Sequence, residues 1–297
     1  RAEGTPETFQ WHPHVTVKPI LPFKQPFPQP YAVPAYDTAT VLQVMGDHLR
    51  NTDRFYMHDG ELLLPYVYRD VPTVVSLRDN VYPETLLGGF LFQSHRLVLI
   101  SDYSRRYFTQ TIGRFFSELP ERTSVIHNGL DWSRFQPTQP DKIRDYLPVQ
   151  LDDQPVLLHP HRPEESKGVM QTIEVVKRLV HQHGIRDLIA LAPRWHDVQS
   201  SSELREFYAQ IEQTIADYDL QRNFVFHGWI PQDLMPEYFS LGSITVSPGY
   251  FPESFGNAVY ESLGCGTPSI VARISTHREL LPDHLIDKVD YGDVDSM

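Results

Sequence analysis

The stretch Ser243–Ala272, SITVSPGYFPESFGNAVYESLGCGTPSIVA, constrains the fold more than any other part of the chain. Its β-branched start predicts a short strand over Ser243–Ser247, followed by a turn-rich loop over Pro248–Pro252. Ser254 stands where an N-cap belongs, and a helix is expected over Gly256–Leu263. Gly264 and Gly266 end it, and Pro268 opens a further strand over Ser269–Ala272. A loop that ends at a helix N-terminus beside a parallel strand makes a good anion site. Free backbone N–H groups point at the ligand, and the helix dipole favours negative charge.

Two carboxylates frame this helix. Glu253 precedes it and Glu261 lies within it, with seven residues between them. Glu261 is one turn on from Asn257, so the two share a face. A carboxylate there can accept hydrogen bonds from two neighbouring hydroxyls of a sugar or ribose. From spacing alone, the plainer reading is a solvated helix with two surface acids. Upstream, a strand is expected over Pro155–His159, then the loop His161-Arg162-Pro163-Glu164-Glu165-Ser166-Lys167-Gly168. An amphipathic helix follows, with Val169, Ile173, Val176 and Val180 on one stripe. Arg162 supplies a planar fork of donors and Lys167 a compact charge, a combination that suits a diphosphate. A solvated basic pair beside Glu164 and Glu165 fits the same residues equally well. His159 and His161 alternate onto one strand face, but no carboxylate or cysteine at ligand spacing completes a metal shell.

Elsewhere short strands alternate with helices. Helical spacing covers Tyr36–Leu49, and strands are expected at Arg54–Met57, Val71–Leu77, Arg96–Ser101 and Ser124–His127. The apolar stretch Leu62–Tyr68 reads as a short helix, and Ser101 caps another. Strand Asp187–Ala192, helix Glu203–Tyr218, strand Asn223–Phe226 and a short helix over Gln232–Phe239 complete the series. This rhythm predicts an α/β fold with parallel sheets. At 297 residues the chain is long enough for two domains, 1–146 and 147–297, divided in the polar, proline-containing segment 139–153, which reads as a hinge. The proline cluster from Pro13 to Pro34 reads as extended surface chain. A net charge of −12 without any Lys/Arg run argues against nucleic acid or an anionic membrane as partner. The single cysteine, Cys265, excludes an internal disulfide and fits a reducing compartment. It is expected as a small buried filler. With no span-length apolar run, the expected location is cytoplasmic.

The string E-S-F-G-N-A-V-Y-E followed by S-L-G-C-G-T-P resembles the E-x7-E signature of the large family of retaining, nucleotide-sugar-dependent glycosyltransferases (glycogen-synthase-like, group 1). Further blocks stand in the expected order. Ile126 to Asp131 with Phe135-Gln136-Pro137 resembles the family's I-x-N-G-x-D…F-x-P string, and its Asn128-Gly129 reads as a structural turn. Arg162 to Gly168 is similar to the family's G-R-x-x-x-x-K-G block, with His161 in place of the first glycine. The resemblance runs from about Tyr36 to Leu280 and is strongest in the second half. There are departures. Arg78-Asp79 stands where the family has a His-Asp pair at the cleft, and Pro193-Arg194-Trp195-His196 replaces a glycine-rich turn. Ser275-Thr276, ahead of His277-Arg278-Glu279, replaces a glycine pair.

The resemblance implies two Rossmann-like domains facing across a cleft, the B-type glycosyltransferase fold, here expected to lack the first β-α unit and the closing segment. It implies transfer of a sugar from a nucleotide-diphosphate sugar, of UDP or GDP type, with retention and with neither metal nor other cofactor. The acceptor is a hydroxyl of a glycan, a lipid-linked sugar or a small molecule. A lipid-linked acceptor implies peripheral membrane contact, and nothing in the sequence fixes an oligomeric state. Carried over residue by residue, Arg162 and Lys167 neutralise the leaving diphosphate and Glu253 holds a donor-sugar hydroxyl. Phe255, Gly256 and Asn257 line the donor, Glu261 holds the ribose, and Gly228 and Trp229 lie beside the base, although simple packing fits Trp229 equally well. Arg78 and Asp79 belong to the cleft. Lys167→Ala is then expected to cost orders of magnitude in turnover and leave folding intact. A nucleotide-sugar epimerase, a sugar phosphorylase or a non-catalytic nucleotide-sugar-binding or partner subunit fits the same fold.

Overall fold

The computed structural model describes residues 7–21, 35–58, 67–79, 85–86, 92, 95–194 and 202–297. Of the sequence readings, the apolar stretch at 62–66, most of the proline cluster, and Trp195 with His196 lie outside the described residues. Two parallel sheets organise the chain. The first has four strands in sequential order: β3 (Phe55–His58), β4 (Thr73–Leu77), β5 (Arg96–Leu99) and β6 (Thr123–Val125). An exposed antiparallel hairpin, β1 (Phe9–His12) and β2 (Val15–Val17), precedes it, where only extended surface chain was expected.

The second sheet has six strands in the order β12-β11-β10-β7-β8-β9. They are β7 (Val156–Leu158), β8 (Ile189–Pro193), β9 (Phe224–His227), β10 (Ile244–Ser247), β11 (Ser269–Ala272) and β12 (Asp287–Val289). All its pairings are parallel. Helices cover both faces of such a sheet, so its strands read as nearly continuous apolar runs. Leu157, Ala190 and Val246 point into one core with the Val169–His181 and Ser202–Asp217 helices. Val156, Leu158, Ile189 and Leu191 point into the other, against Tyr238, Phe239 and Cys265. Cys265 is buried, and burial pushes its thiol up to about 11.

The chain winds outward from β7 through β8 to β9, then returns to β10 on the other side of β7. The gap between β7 and β10 is thus the switch point of the sheet. Loops leaving such neighbours diverge to opposite faces and open a crevice at their carboxyl ends.

Two expectations are corrected. Residues 139–153 are not a free hinge. They hold a one-turn helix, Lys142–Tyr146, whose Ile143 is fully buried with Phe135 and Leu151 in the second sheet's core. The Ile143 N–H donates to Glu237, 3.0 Å away. The apolar positions are too sparse to show a period, so the polar majority masked them. The helix after β10 is not capped by Ser254. It spans Asn257–Gly264 behind Gly256, which has φ +84° and offers no side chain. Among the described residues, no helix is long and apolar enough to cross a membrane.

Candidate functional site

The two loops at the switch point touch through their backbones. Gly168, at φ +84°, ends the loop after β7, and an added Cβ would lie 2.5 Å from the Gly249 nitrogen. A Cβ on Gly249 would lie 2.2 Å from the Ser166 carbonyl oxygen. Only glycine permits so close an approach. The Phe251 N–H donates to that same oxygen at 2.8 Å. This clasp brings Lys167 against Glu253: Nζ donates to Oε1 at 2.6 Å and sits 3.4 Å from the centre of the Phe251 ring. The side chains are only 11% and 18% exposed, so the pair is largely desolvated. Removing the lysine leaves a largely desolvated carboxylate without its cation, so Lys167→Ala is expected to cost stability as well as turnover.

Gly256 leaves the first turn of the Asn257–Gly264 helix without a side-chain cap, and Gly256, Asn257 and Tyr260 line the crevice. The Phe255 ring packs 4.8 Å from Tyr260 and 6.1 Å from His127. Asn257 Oδ1 accepts from Asn128 Nδ2 at 2.9 Å, and Asn128 Oδ1 accepts from Arg78. The Asn128-Gly129 turn, read from sequence as structural, thus bridges Arg78 of the first half to the Asn257–Gly264 helix. Glu261 lies one turn further on. Burial pushes its carboxyl up, against a smaller opposing pull from Arg134.

These groups line a cleft of about 1370 Å³ between the two sheets. The first sheet contributes Tyr56, His58, Arg78 and Asp79. The second contributes Glu253, Phe255, Gly256, Asn257 and Glu261. Arg162, Gly228 and Trp229 lie apart from them, in a separate apolar cavity of about 570 Å³ with Pro160, Arg194 and Tyr238. Arg162 pairs there with Glu164 at 3.2 Å instead of standing beside Lys167. Trp229 is 66% exposed, so it serves as a wall of this cavity and not as core.

A histidine cluster lies beneath the switch-point loops. His159 and His161 stack edge to face with ring centres 5.3 Å apart, and His159 Nδ1 meets Thr172 Oγ1 at 2.9 Å. His277 fills the space beside Gly256: a Cβ there would lie 2.4 Å from its Cε1 and 3.0 Å from its Nε2. The Nε2 atoms of all three are buried without a hydrogen-bond partner. Burial, helped by the Lys167 charge, lowers His159 to about 3 and His277 to about 4, and burial also lowers His161. Among the described residues, no three His, Cys, Asp or Glu side chains form a metal-binding group.

Residues 148–286 match the family model described as Glycosyl transferases group 1. The chain is 29% identical over 137 residues to the 2-deoxystreptamine N-acetyl-D-glucosaminyltransferase of Streptomyces fradiae, covering 42% of this chain and 32% of that one. It is 26% identical over 156 residues to the D-inositol 3-phosphate glycosyltransferase of Acidothermus cellulolyticus, covering 52% and 34%. The matches span less than half the length of these curated relatives. The Anabaena protein Alr3699/HepE, solved in complex with UDP, superposes with a TM-score of 0.68 at 22% identity, covering 88% of this chain and 70% of that one. The two facing Rossmann-like units are therefore the B-type glycosyltransferase fold.

Proposed function

For a chain whose residues 148–286 belong to the group 1 glycosyltransferases, we propose a retaining transfer of a sugar from a nucleotide-diphosphate sugar to an acceptor hydroxyl. The observation that carries this reading is the uncapped start of the Asn257–Gly264 helix, set beside the Lys167–Glu253 pair at the switch point and open to a second sheet. In this reading the base enters the cavity walled by Trp229, with Arg162 at its edge, and the ribose hydroxyls bond Glu261. The diphosphate meets the N–H groups of the helix start. Lys167 neutralises the charge that grows there as the sugar leaves, while Glu253 orients a sugar hydroxyl. Such preorganised donors speed the step because they are aimed at charge that develops in the transition state. Protein groups supply the neutralisation, and the reaction is taken as metal-independent. The leaving phosphate itself accepts the acceptor's proton on the same face, which requires no separate base. The acceptor occupies the half of the cleft bounded by Tyr56, His58 and Arg78. A UDP-type donor is favoured over a GDP type by the solved relative that holds UDP.

Calorimetric titration with UDP, GDP and ADP tests the donor seat, repeated on Glu261→Gln and Trp229→Ala. One nucleotide is expected to bind, with affinity reduced about tenfold or more in each variant, since base–aromatic stacking alone contributes about 1–3 kcal/mol. Unchanged affinity in both variants would remove the base and ribose assignments.

A further inference from the structure

Two of the places where this sequence departs from the group 1 pattern are far apart in the chain but meet in the fold. His161 replaces a glycine after β7, and His277 follows the residues that replace a glycine pair after β11. His277 is felt electrostatically at His161, and Lys167 is felt by both. His277 is 4% exposed, and its unpartnered Nε2 sits 3.0 Å from where a Cβ of Gly256 would be. The Cε1–Nε2 edge of its ring therefore packs against the residue that opens the Asn257–Gly264 helix. A buried polar atom without a partner is costly, and sites that tolerate one usually supply the partner from outside.

We propose that His277, backed by His161, is a proton-linked ligand of the donor's diphosphate. As the diphosphate seats on the helix start, the His277 imidazole takes up one proton from solvent and donates Nε2–H to a phosphate oxygen. On release of the nucleotide the proton returns to solvent. The inference rests on the donor seat proposed above and adds to it a dependence on pH.

The charges around His277 explain why the link needs a ligand. Lys167 approaches from the loop after β7 and Lys288 from β12, and both oppose a second cation. His161 and Arg162 belong to the same basic group. The acidic counterweights are Glu253, engaged with Lys167, Asp283, 2.8 Å from Lys288, and Glu164, 3.2 Å from Arg162. Arg278 and Glu279 follow in the chain, and Glu279 is engaged with Arg106 of the Asp102–Thr111 helix at 2.5 Å. Two negative charges entering this pocket favour the charged imidazolium, and an imidazole is the group that responds near neutral pH.

The test is calorimetry with UDP-glucose and GDP-mannose, neither of which titrates between about pH 5 and 8. Each is titrated at about pH 6 in MES and in Bis-Tris, whose ionisation enthalpies differ, and affinity is followed across that range. The wild-type chain is expected to take up about half a proton per donor bound at about pH 6. Its Kd should weaken about tenfold from pH 5 to 7, the linkage expected when binding raises the His277 imidazole from about 4 to about 6. His277→Leu and His277→Gln should still bind, with a Kd flat in pH and no buffer dependence of the heat; His161→Leu should reduce the uptake. Two results overturn the proposal: wild-type binding without buffer dependence, or uptake undiminished in both His277 variants. The first would mean that Nε2 donates as a neutral tautomer. The wild-type measurement decides even if a variant fails to fold. Failure of both nucleotide sugars to bind at any pH is a different result, and it overturns the donor seat itself.

Discussion

Take the Lys167–Glu253 pair out one member at a time. Nζ and Oε1 are 2.6 Å apart, with side-chain exposures of 11% and 18%. At the surface such a pair contributes little, because water screens it. Here the desolvation is already incurred by the folding of two loops fixed through Gly168 and Gly249, so each charge depends on the other. Lys167→Met leaves the largely desolvated Glu253 carboxylate without its cation at the wall of the cleft, and Glu253→Gln leaves an ammonium whose remaining support is the Phe251 face. Each single variant is expected to lose about 3–5 kcal/mol of stability, and Lys167→Met/Glu253→Gln about 1–3 kcal/mol, because the double variant strands no charge. The coupling between the two sites is then about 3 kcal/mol or more, well above the roughly 0.5 kcal/mol within which distant sites add. Urea unfolding followed by tryptophan fluorescence on the four proteins gives the cycle. If the double variant is as unstable as the sum of the singles, or if Lys167→Met costs under about 1 kcal/mol, the pair is not a desolvated unit. Its role in positioning charge for the diphosphate would fail with it. A loss of turnover in Lys167→Ala can be read as chemistry only after this stability loss has been measured.

Two further outcomes follow from the same region. Gly249→Ala must push its Cβ off the Ser166 carbonyl, 2.2 Å away, and backbone cannot yield as a side-chain tip can. A loss of about 1–3 kcal/mol or more is expected in the urea midpoint, whereas Gly292→Ala, with nothing within 4 Å, should cost only the strain of its positive φ. Acid should also weaken the fold. His159 and His277 titrate at about 3 and 4 when folded, below the ordinary 6.5, so the unfolded chain takes up protons first as pH falls. Their contribution is complete above about pH 6.5 and is lost through the window down to about 4 and 3. At about pH 5 each costs about 2 kcal/mol. Unfolding curves that coincide at about pH 5 and 7.5 would contradict this, and His277→Leu should flatten the slope.

Most of the fold was legible because parallel strands buried on both faces declare themselves as short apolar runs. Val156–Leu158, Thr73–Leu77 and Ser269–Ala272 fall where they were expected to within a residue or two. The cap of the Asn257–Gly264 helix was not legible. Ser254 is a better capping residue than Gly256, but the choice is made by a φ of +84°, set by His277 and the tight loop, and no local preference encodes that. Ile143 was hidden among polar neighbours although it is fully buried. In the site, Glu253, Glu261 and Asn257 could be named because they share one short segment. Asn128 could not, because its partner Asn257 is 129 residues away and an Asn-Gly pair looks like any turn. Arg162 looked equivalent to Lys167 in a loop of a few residues, but the turn sends Arg162 to the cavity walled by Trp229 and Lys167 onto Glu253. The histidine cluster had one sequence signal: ring side chains at or beside positions where the family pattern has glycine.

The backbone clasp between Ser166–Gly168 and Gly249–Phe251 has a mechanical consequence. Two strands of chain that touch without intervening side chains have no compliant layer between them, so displacement of one loop is transmitted whole to the other. Lys167, Glu253 and the start of the Asn257–Gly264 helix therefore travel as one rigid piece. Any swing of one sheet toward the other changes only which groups of the first sheet, Arg78 and Asn128 foremost, are brought into register with it.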